Sequence, residues 1–162
     1  MCYQKNNFFL VDLIYEISKK ENDAVLLCVG TGVDEQRLKE YAKELCVDKN
    51  IKFLGVRSDV SDILCASDVF VFPSRFEGLP LTCVEAQISG LPCVLSNRID
   101  SDVKLSDKTL ILDLDVKKWA PAVLQLLGSE RTSSELSEDV LSKYSFENST
   151  SQLREILARD QI

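Results

Sequence analysis

Two carboxylates in the stretch FEGLPLTCVEA, residues 76–86, are spaced so that they could do chemistry together. Glu77 precedes a Gly-Leu-Pro turn, and Glu85 lies in the apolar-periodic stretch after it. Pro80 suits the first turn of a helix, where unpaired N–H groups and the positive end of the helix dipole favour phosphate. Eight residues of helix rise about 12 Å and rotate only about 80° beyond two turns, so both acids can address one elongated ligand. A molecule with hydroxyls at both ends and phosphates in the middle would fit. The same spacing also describes two solvated acids on an ordinary amphipathic helix, and local chemistry alone leaves both readings open.

The flanking elements decide where such a pair would sit. NNFFLVDLIYEISKKEN sets Phe9, Leu10, Leu13, Ile14 and Ile17 at helical spacing. AVLLCVGTG is a continuous apolar run ending at glycines, as expected of a strand buried on both faces. Asp34 to Leu45 is helical, IKFLG a strand, SDVSDILCAS a short helix capped by Ser58 or Asp59, and DVFVFPS another buried strand. LPLTCVEAQISG then reads as helix, PCVLS and TLILDL as strands, and the remainder to Ile162 as mostly helix, with a polar surface connection at 128–139. Helices alternating with short apolar strands predict an α/β fold, a doubly wound Rossmann-like parallel sheet with helices on both faces. Ligands of such sheets bind beyond the carboxyl ends of strands, which is where Pro73 to Gly78 leave DVFVF and enter the next helix.

Composition removes several functions. A chain of 162 residues that is 45% apolar is sized for one domain, taken here as residues 1–162. No apolar run approaches the roughly 20 residues of a membrane helix, and the N-terminus lacks a signal pattern, so a cytoplasmic protein is expected. The chain has no histidine, which excludes histidine acid–base catalysis within it and leaves little from which to build a zinc site. Its six cysteines form no C-x-x-C pair and mostly lie in apolar runs, reading as buried free thiols. A formal charge of −7 opposes nucleic acid as a partner, while a small nucleotide needs only a few local cations.

FPSRFEGLPLTCVEAQISGLPCVLS closely resembles the E-x7-E segment of retaining glycosyltransferases of family 4, the "group 1" class of GT-B architecture. YQKNN is similar to that family's lysine-bearing segment, LLCVGTG to its glycine-ended second strand, and IKFLGVRSDV to its base-binding loop. The likeness covers roughly residues 3–127 and is nearest to the capsular and exopolysaccharide branch. It implies a hexosyltransferase-type enzyme whose C-terminal half binds a nucleotide sugar, UDP- or GDP-linked, as substrate, with no metal and no cofactor. Carried over position by position, Lys5 approaches the donor phosphates and Glu77 faces the sugar near its reacting carbon. Glu85 accepts hydrogen bonds from the ribose, and the amides of Gly78, Leu79, Leu81 and Thr82, with Pro80 among them, form the diphosphate cradle. Gly30 and Gly32 keep the second-strand loop low, and Val56 and Arg57 border the base. Beside these roles stand plainer ones: a charge at a mobile N-terminus for Lys5, a strand-ending turn for the glycines, and solvated arginines for Arg57 and Arg75.

The chain departs from the family in one respect. The resemblance implies an N-terminal acceptor domain and, just before YQKNN, an apolar strand ending in Gly-Arg, and neither is in this sequence. Loss of a central strand would expose strand edges and an apolar groove. A fragment or one part of a split enzyme is therefore expected. It would be inactive without the partner domain that brings the saccharide or glycolipid acceptor, and the complete enzyme would be cytoplasmic or peripheral at the inner face of the membrane. A non-catalytic nucleotide-sugar-binding module is the alternative from another class; a GT-B nucleotide-sugar epimerase is disfavoured by the E-x7-E context and the lack of histidine.

Overall fold

A computed structural model describes residues 1–129 of the chain. Its elements are α1 (Asn7–Ser18), β1 (Leu26–Val29), α2 (Glu35–Glu44), β2 (Ile51–Gly55), α3 (Val60–Ala66), β3 (Phe70–Phe72), α4 (Leu81–Ile88), β4 (Cys93–Ser96), β5 (Thr109–Leu112) and α5 (Val116–Leu126). The helix and the polar stretch expected beyond Ser129 lie outside the described residues. Every ladder is parallel: β1 pairs with β2, β3 with β4, and β4 with β5. The α/β architecture expected from the alternating apolar runs is therefore present.

Side chains on β3 and β4 alternate between two cores, as a strand period of two requires. Val71 and Val94 face a cluster built from α1, α2 and α5, with Phe9, Leu13, Leu38 and Trp119 at its centre. Phe70, Phe72, Cys93 and Leu95 face the opposite cluster, with Leu64 of α3 and Cys83 and Ala86 of α4. Helices thus cover both faces. Trp119 is fully buried, meets the ring of Phe9 edge-on at 5.0 Å and donates its indole N–H to Asp113 O at 2.7 Å. This contact locks α5 to α1 and satisfies the one polar atom of an otherwise apolar side chain.

Several expectations need correction. Among the described residues the strands form two sheets, β1-β2 and β3-β4-β5, not one. A groove of about 1150 Å³ separates them, lined by every residue of β1 and of β3, so it meets both strands edge-on. β1 is consequently not buried on both faces: Leu27 and Val29 are exposed at 37% and 40%. β3 is half-buried rather than buried for the same reason. The apolar groove between exposed edges is present as expected.

α4 begins at Leu81 with Pro80, at an extended ψ of 107°, as its N-cap, in keeping with a helix start near Pro80. Asp59 caps α3, but its carboxylate makes no capping bond and instead accepts from Arg57 Nε at 2.8 Å. Finally, all six cysteines are free, but Cys2, Cys46 and Cys65 are exposed and only Cys28, Cys83 and Cys93 are buried. Cys46 lies just past the end of α2 with φ +58°, which turns its side chain out of the core.

Candidate functional site

The turn between β3 and α4 carries Glu77, and the N-terminal loop comes to meet it. Arg75 N donates to Gln4 O at 2.8 Å, and Gln4 Nε2 donates to Phe76 O at 3.0 Å. Arg75 Nη2 donates to the carboxamide oxygen of Asn6 at 2.9 Å, and its guanidinium lies over the Tyr3 ring at 4.6 Å. Asn6 is buried and left-handed at φ +53°, a conformation asparagine tolerates better than most residues, and it turns the loop into α1. These contacts hold residues 3–6 against residues 75–76 and so deliver Lys5 to the site. Arg75 is exposed, as expected from the sequence, and serves as a tether as well.

Lys5 Nζ lies 2.7 Å from Glu77 Oε1, with side-chain exposures of 43% and 15%. The ammonium also lies over the Phe72 ring at 4.9 Å from its centroid, adding a cation–π attraction. Ser74, fully buried, points its hydroxyl at the same Glu77 oxygen at 3.4 Å, a long contact. Glu77 is also held through its main chain, by a single parallel bridge to Ile99. These contacts place the carboxylate at the carboxyl end of β3.

Four residues beyond Glu77, α4 starts. The N–H groups of Leu81 and Thr82 open the helix, where no intrahelical acceptor exists. Cys83, Val84, Ala86 and Gln87 are buried, while Leu81, Thr82, Glu85 and Ile88 are exposed on one face. Leu81 and Glu85 are one helical turn apart, so Glu85 stands directly down the helix from its N-terminus. The rise and rotation expected over the whole Glu77–Glu85 interval hold only from Leu81 onward, since 77–80 is not helical. Gly78 has open space where a side chain would stand.

The remaining candidates are less closely engaged. Gly30 follows β1 with φ +98°, and its N–H donates to Gly55 O at 2.7 Å, joining the ends of β1 and β2. At Gly32 a Cβ would overlap the main chain of Met1, so the approach of these two segments needs a glycine. The Met1 ammonium donates to Thr31 O at 2.6 Å. Val56 is 81% exposed, and Arg57 is paired with Asp59 in solvent.

Sequence reasoning did not find Ser74, the Tyr3–Asn6 tether or the buried Gln87. A signal for the last was present, because Gln87 falls four residues after Cys83 on the apolar face of α4.

A family model described as glycosyl transferases group 1 matches residues 1–129. The chain belongs to the group 1 glycosyltransferases. It is 29% identical over 147 residues to the putative glycosyltransferase EpsF of Bacillus subtilis, covering 88% of this chain and 38% of that protein. A UDP-Gal:alpha-D-GlcNAc-diphosphoundecaprenol alpha-1,3-galactosyltransferase of Escherichia coli is 41% identical over 97 residues, 58% of this chain and 25% of that one. CapH, a capsular polysaccharide biosynthesis glycosyltransferase of Staphylococcus aureus, is 30% identical over 135 residues, 80% and 38% of the two chains. The chain thus spans well under half the length of these relatives. Among solved structures, S. aureus TarM in a complex that includes UDP superposes with a TM-score of 0.83 at 22% identity, over 96% of this chain and 33% of TarM. The catalytic domain of the Helicobacter pylori cholesterol-alpha-glucosyltransferase superposes at 0.70 with 25% identity, over 89% of this chain and 93% of that one. This group 1 glycosyltransferase chain has the α/β fold of GT-B enzymes.

Proposed function

We propose that this chain is the donor-nucleotide domain of a retaining, family 4 hexosyltransferase of the capsular or exopolysaccharide type. It takes a sugar from a nucleoside diphosphate, UDP being favoured over GDP, to a saccharide or glycolipid acceptor. The observation that carries this reading is the Lys5–Glu77 pair at 2.7 Å beside the start of the helix that presents Glu85. The names of relatives support the donor class: one is a UDP-Gal-dependent transferase, and TarM was crystallised with UDP.

On this reading the diphosphate lies at the α4 N-terminus, where the first N–H groups and the helix dipole oppose its charge. An ammonium has three donors, so Lys5 keeps Glu77 with one and reaches a phosphate oxygen with another. That places a positive charge where negative charge grows as the sugar–phosphate bond breaks. Glu77 is held against the sugar's reacting carbon, and Glu85 accepts from the ribose hydroxyls. The acceptor hydroxyl attacks the face the diphosphate leaves, its position set by a second domain and its proton taken up by the departing diphosphate. Gly30, Gly32, Val56 and Arg57 form the base side of the site. No helix among the described residues is long and apolar enough to cross a membrane. A lipid-linked acceptor would be met at the inner membrane face, from the cytoplasm.

The test is to incubate the chain with labelled nucleotide sugars and lipid-linked or saccharide acceptors, alone and together with an acceptor-binding domain, and to assign the anomeric configuration of the product. Transfer only by the pair, with retained configuration and lost in Glu77→Ala, is expected. Transfer by the chain alone would contradict its dependence on a second domain. Donor binding without transfer by any pair would favour a binding module, and an inverted product would contradict retention.

A further inference from the structure

Gln87 is 2% exposed and lies on the buried face of α4, two residues past Glu85. Its amide nitrogen donates to Cys83 O at 2.9 Å within the helix and to Val103 O at 2.8 Å outside it. Its amide oxygen accepts from Leu105 N at 2.8 Å, Ser106 N at 3.1 Å and Thr109 Oγ1 at 2.7 Å. One side chain thereby closes the hydrogen bonding of the connection between β4 and β5, with both amide hydrogens and the oxygen in use. A buried polar group this fully satisfied fixes its surroundings more tightly than apolar packing would.

The same β4–β5 connection contains Ile99, whose main chain bridges to Glu77. Glu77 in turn holds Lys5. A continuous path therefore runs from α4 through Gln87 to the connection, and from Ile99 through Glu77 to Lys5. The covalent route from Glu77 to α4 is only Gly78, Leu79 and Pro80, the first two exposed, so it does not by itself set the angle between them. We infer that Gln87 is a positioning residue that fixes the Lys5–Glu77 pair relative to the α4 helix start and Glu85. It touches no reacting group and acts through the β4–β5 connection. The inference rests on the nucleotide-sugar reading of the site.

The position makes a selective prediction. Lys5 and Glu77 sit on the far side of this linkage from α4, whereas Glu85 rides on α4 itself. Loosening Gln87 should therefore uncouple Lys5 from a bound diphosphate while leaving the contribution of Glu85 intact. A residue needed only for folding would show no such selectivity.

The experiment is a pair of double-mutant cycles read by calorimetry with UDP, and with GDP in a parallel arm, on the full chain. In the unaltered background, Lys5→Met and Glu85→Ala should each weaken UDP by about tenfold or more, as for hydrogen bonds to charged groups. In the Gln87→Met background, Lys5→Met should cost less than about threefold while Glu85→Ala keeps its full effect, since coupled sites depart from additivity and uncoupled ones do not. Should Gln87→Met not fold, Thr109→Val, which removes one donor to the same amide oxygen, carries the cycle with the same criterion. An unchanged Lys5→Met effect overturns the inference, as does equal shrinkage of both effects. Failure of the unaltered chain to bind either nucleotide, or indifference to both Lys5 and Glu85, removes the nucleotide-sugar reading itself and this inference with it.

Discussion

Lys5 and Glu77 are joined Nζ to Oε1 at 2.7 Å, binding the N-terminal loop to the turn that precedes α4. With the lysine side chain 43% exposed, water screens the pair, and its net contribution to folding is at most about 1 kcal/mol. Lys5→Met should therefore lower the melting temperature by no more than about 4 °C. In an enzyme completed by an acceptor domain, the same substitution should lower kcat by about a hundredfold, as for loss of one preorganised charge-stabilising group. Differential scanning calorimetry and initial rates check the two halves. A large melting shift would mean that the pair is structural rather than functional.

Gly30 is at φ +98°, in a region that side chains avoid, with nothing near its absent Cβ. Gly30→Ala is thus a pure backbone perturbation and should cost roughly 1–2 kcal/mol. Urea denaturation should show a lowered midpoint with unchanged slope.

Trp119→Ala removes the side chain that joins α5 to Phe9 of α1 and leaves a cavity in the larger core. A loss of about 3–5 kcal/mol is expected, enough to consume much of a small domain's stability. Trp119 is the only tryptophan in the chain. Its emission should therefore be blue-shifted in the native protein and move to the red in a single step on unfolding.

Burial raises the Cys28 thiol to about 11 and the Cys93 thiol to about 12, and drives Cys83 up as well. Unfolded thiols ionise near 8.5. The raised folded values mean that this contribution to stability is whole below about pH 8.5 and declines as pH rises toward the folded values. The urea midpoint should accordingly fall between neutral and strongly alkaline pH. A thiol-reactive disulfide reagent at mildly alkaline pH should modify Cys2, Cys46 and Cys65 in the native chain and spare the other three until it unfolds.

The legible parts of the sequence were those written in periodicity. α1 shows its buried stripe of Phe9, Leu13, Ile14 and Ile17, and β4 its uninterrupted apolar run, because such patterns report burial directly. The same rule misread β1. Leu27 and Val29 are apolar, yet they border the groove between the sheets, and an apolar run does not state what lies beside a strand. Glu77 and Glu85 were visible as a spaced pair of acids near a helix start. What holds Glu77 was not: Lys5 and Ile99 reach it only through tertiary structure, and Ser74, three residues before it, reads as an ordinary turn residue. Arg75 likewise reads as one more surface cation until its bond to Asn6 is seen.

The central claim is that Glu85 meets the ribose of a nucleotide whose phosphates lie at the start of α4. Calorimetry of the unaltered chain and Glu85→Ala with a ribonucleoside diphosphate and with its 2′,3′-dideoxyribose analogue tests it directly. Glu85→Ala should weaken the ribonucleotide by about 1–3 kcal/mol, as for hydrogen bonds to a charged group, and leave the dideoxy analogue nearly unaffected. Equal losses for the two ligands, or no binding of the ribonucleotide by the unaltered chain, would contradict the assignment.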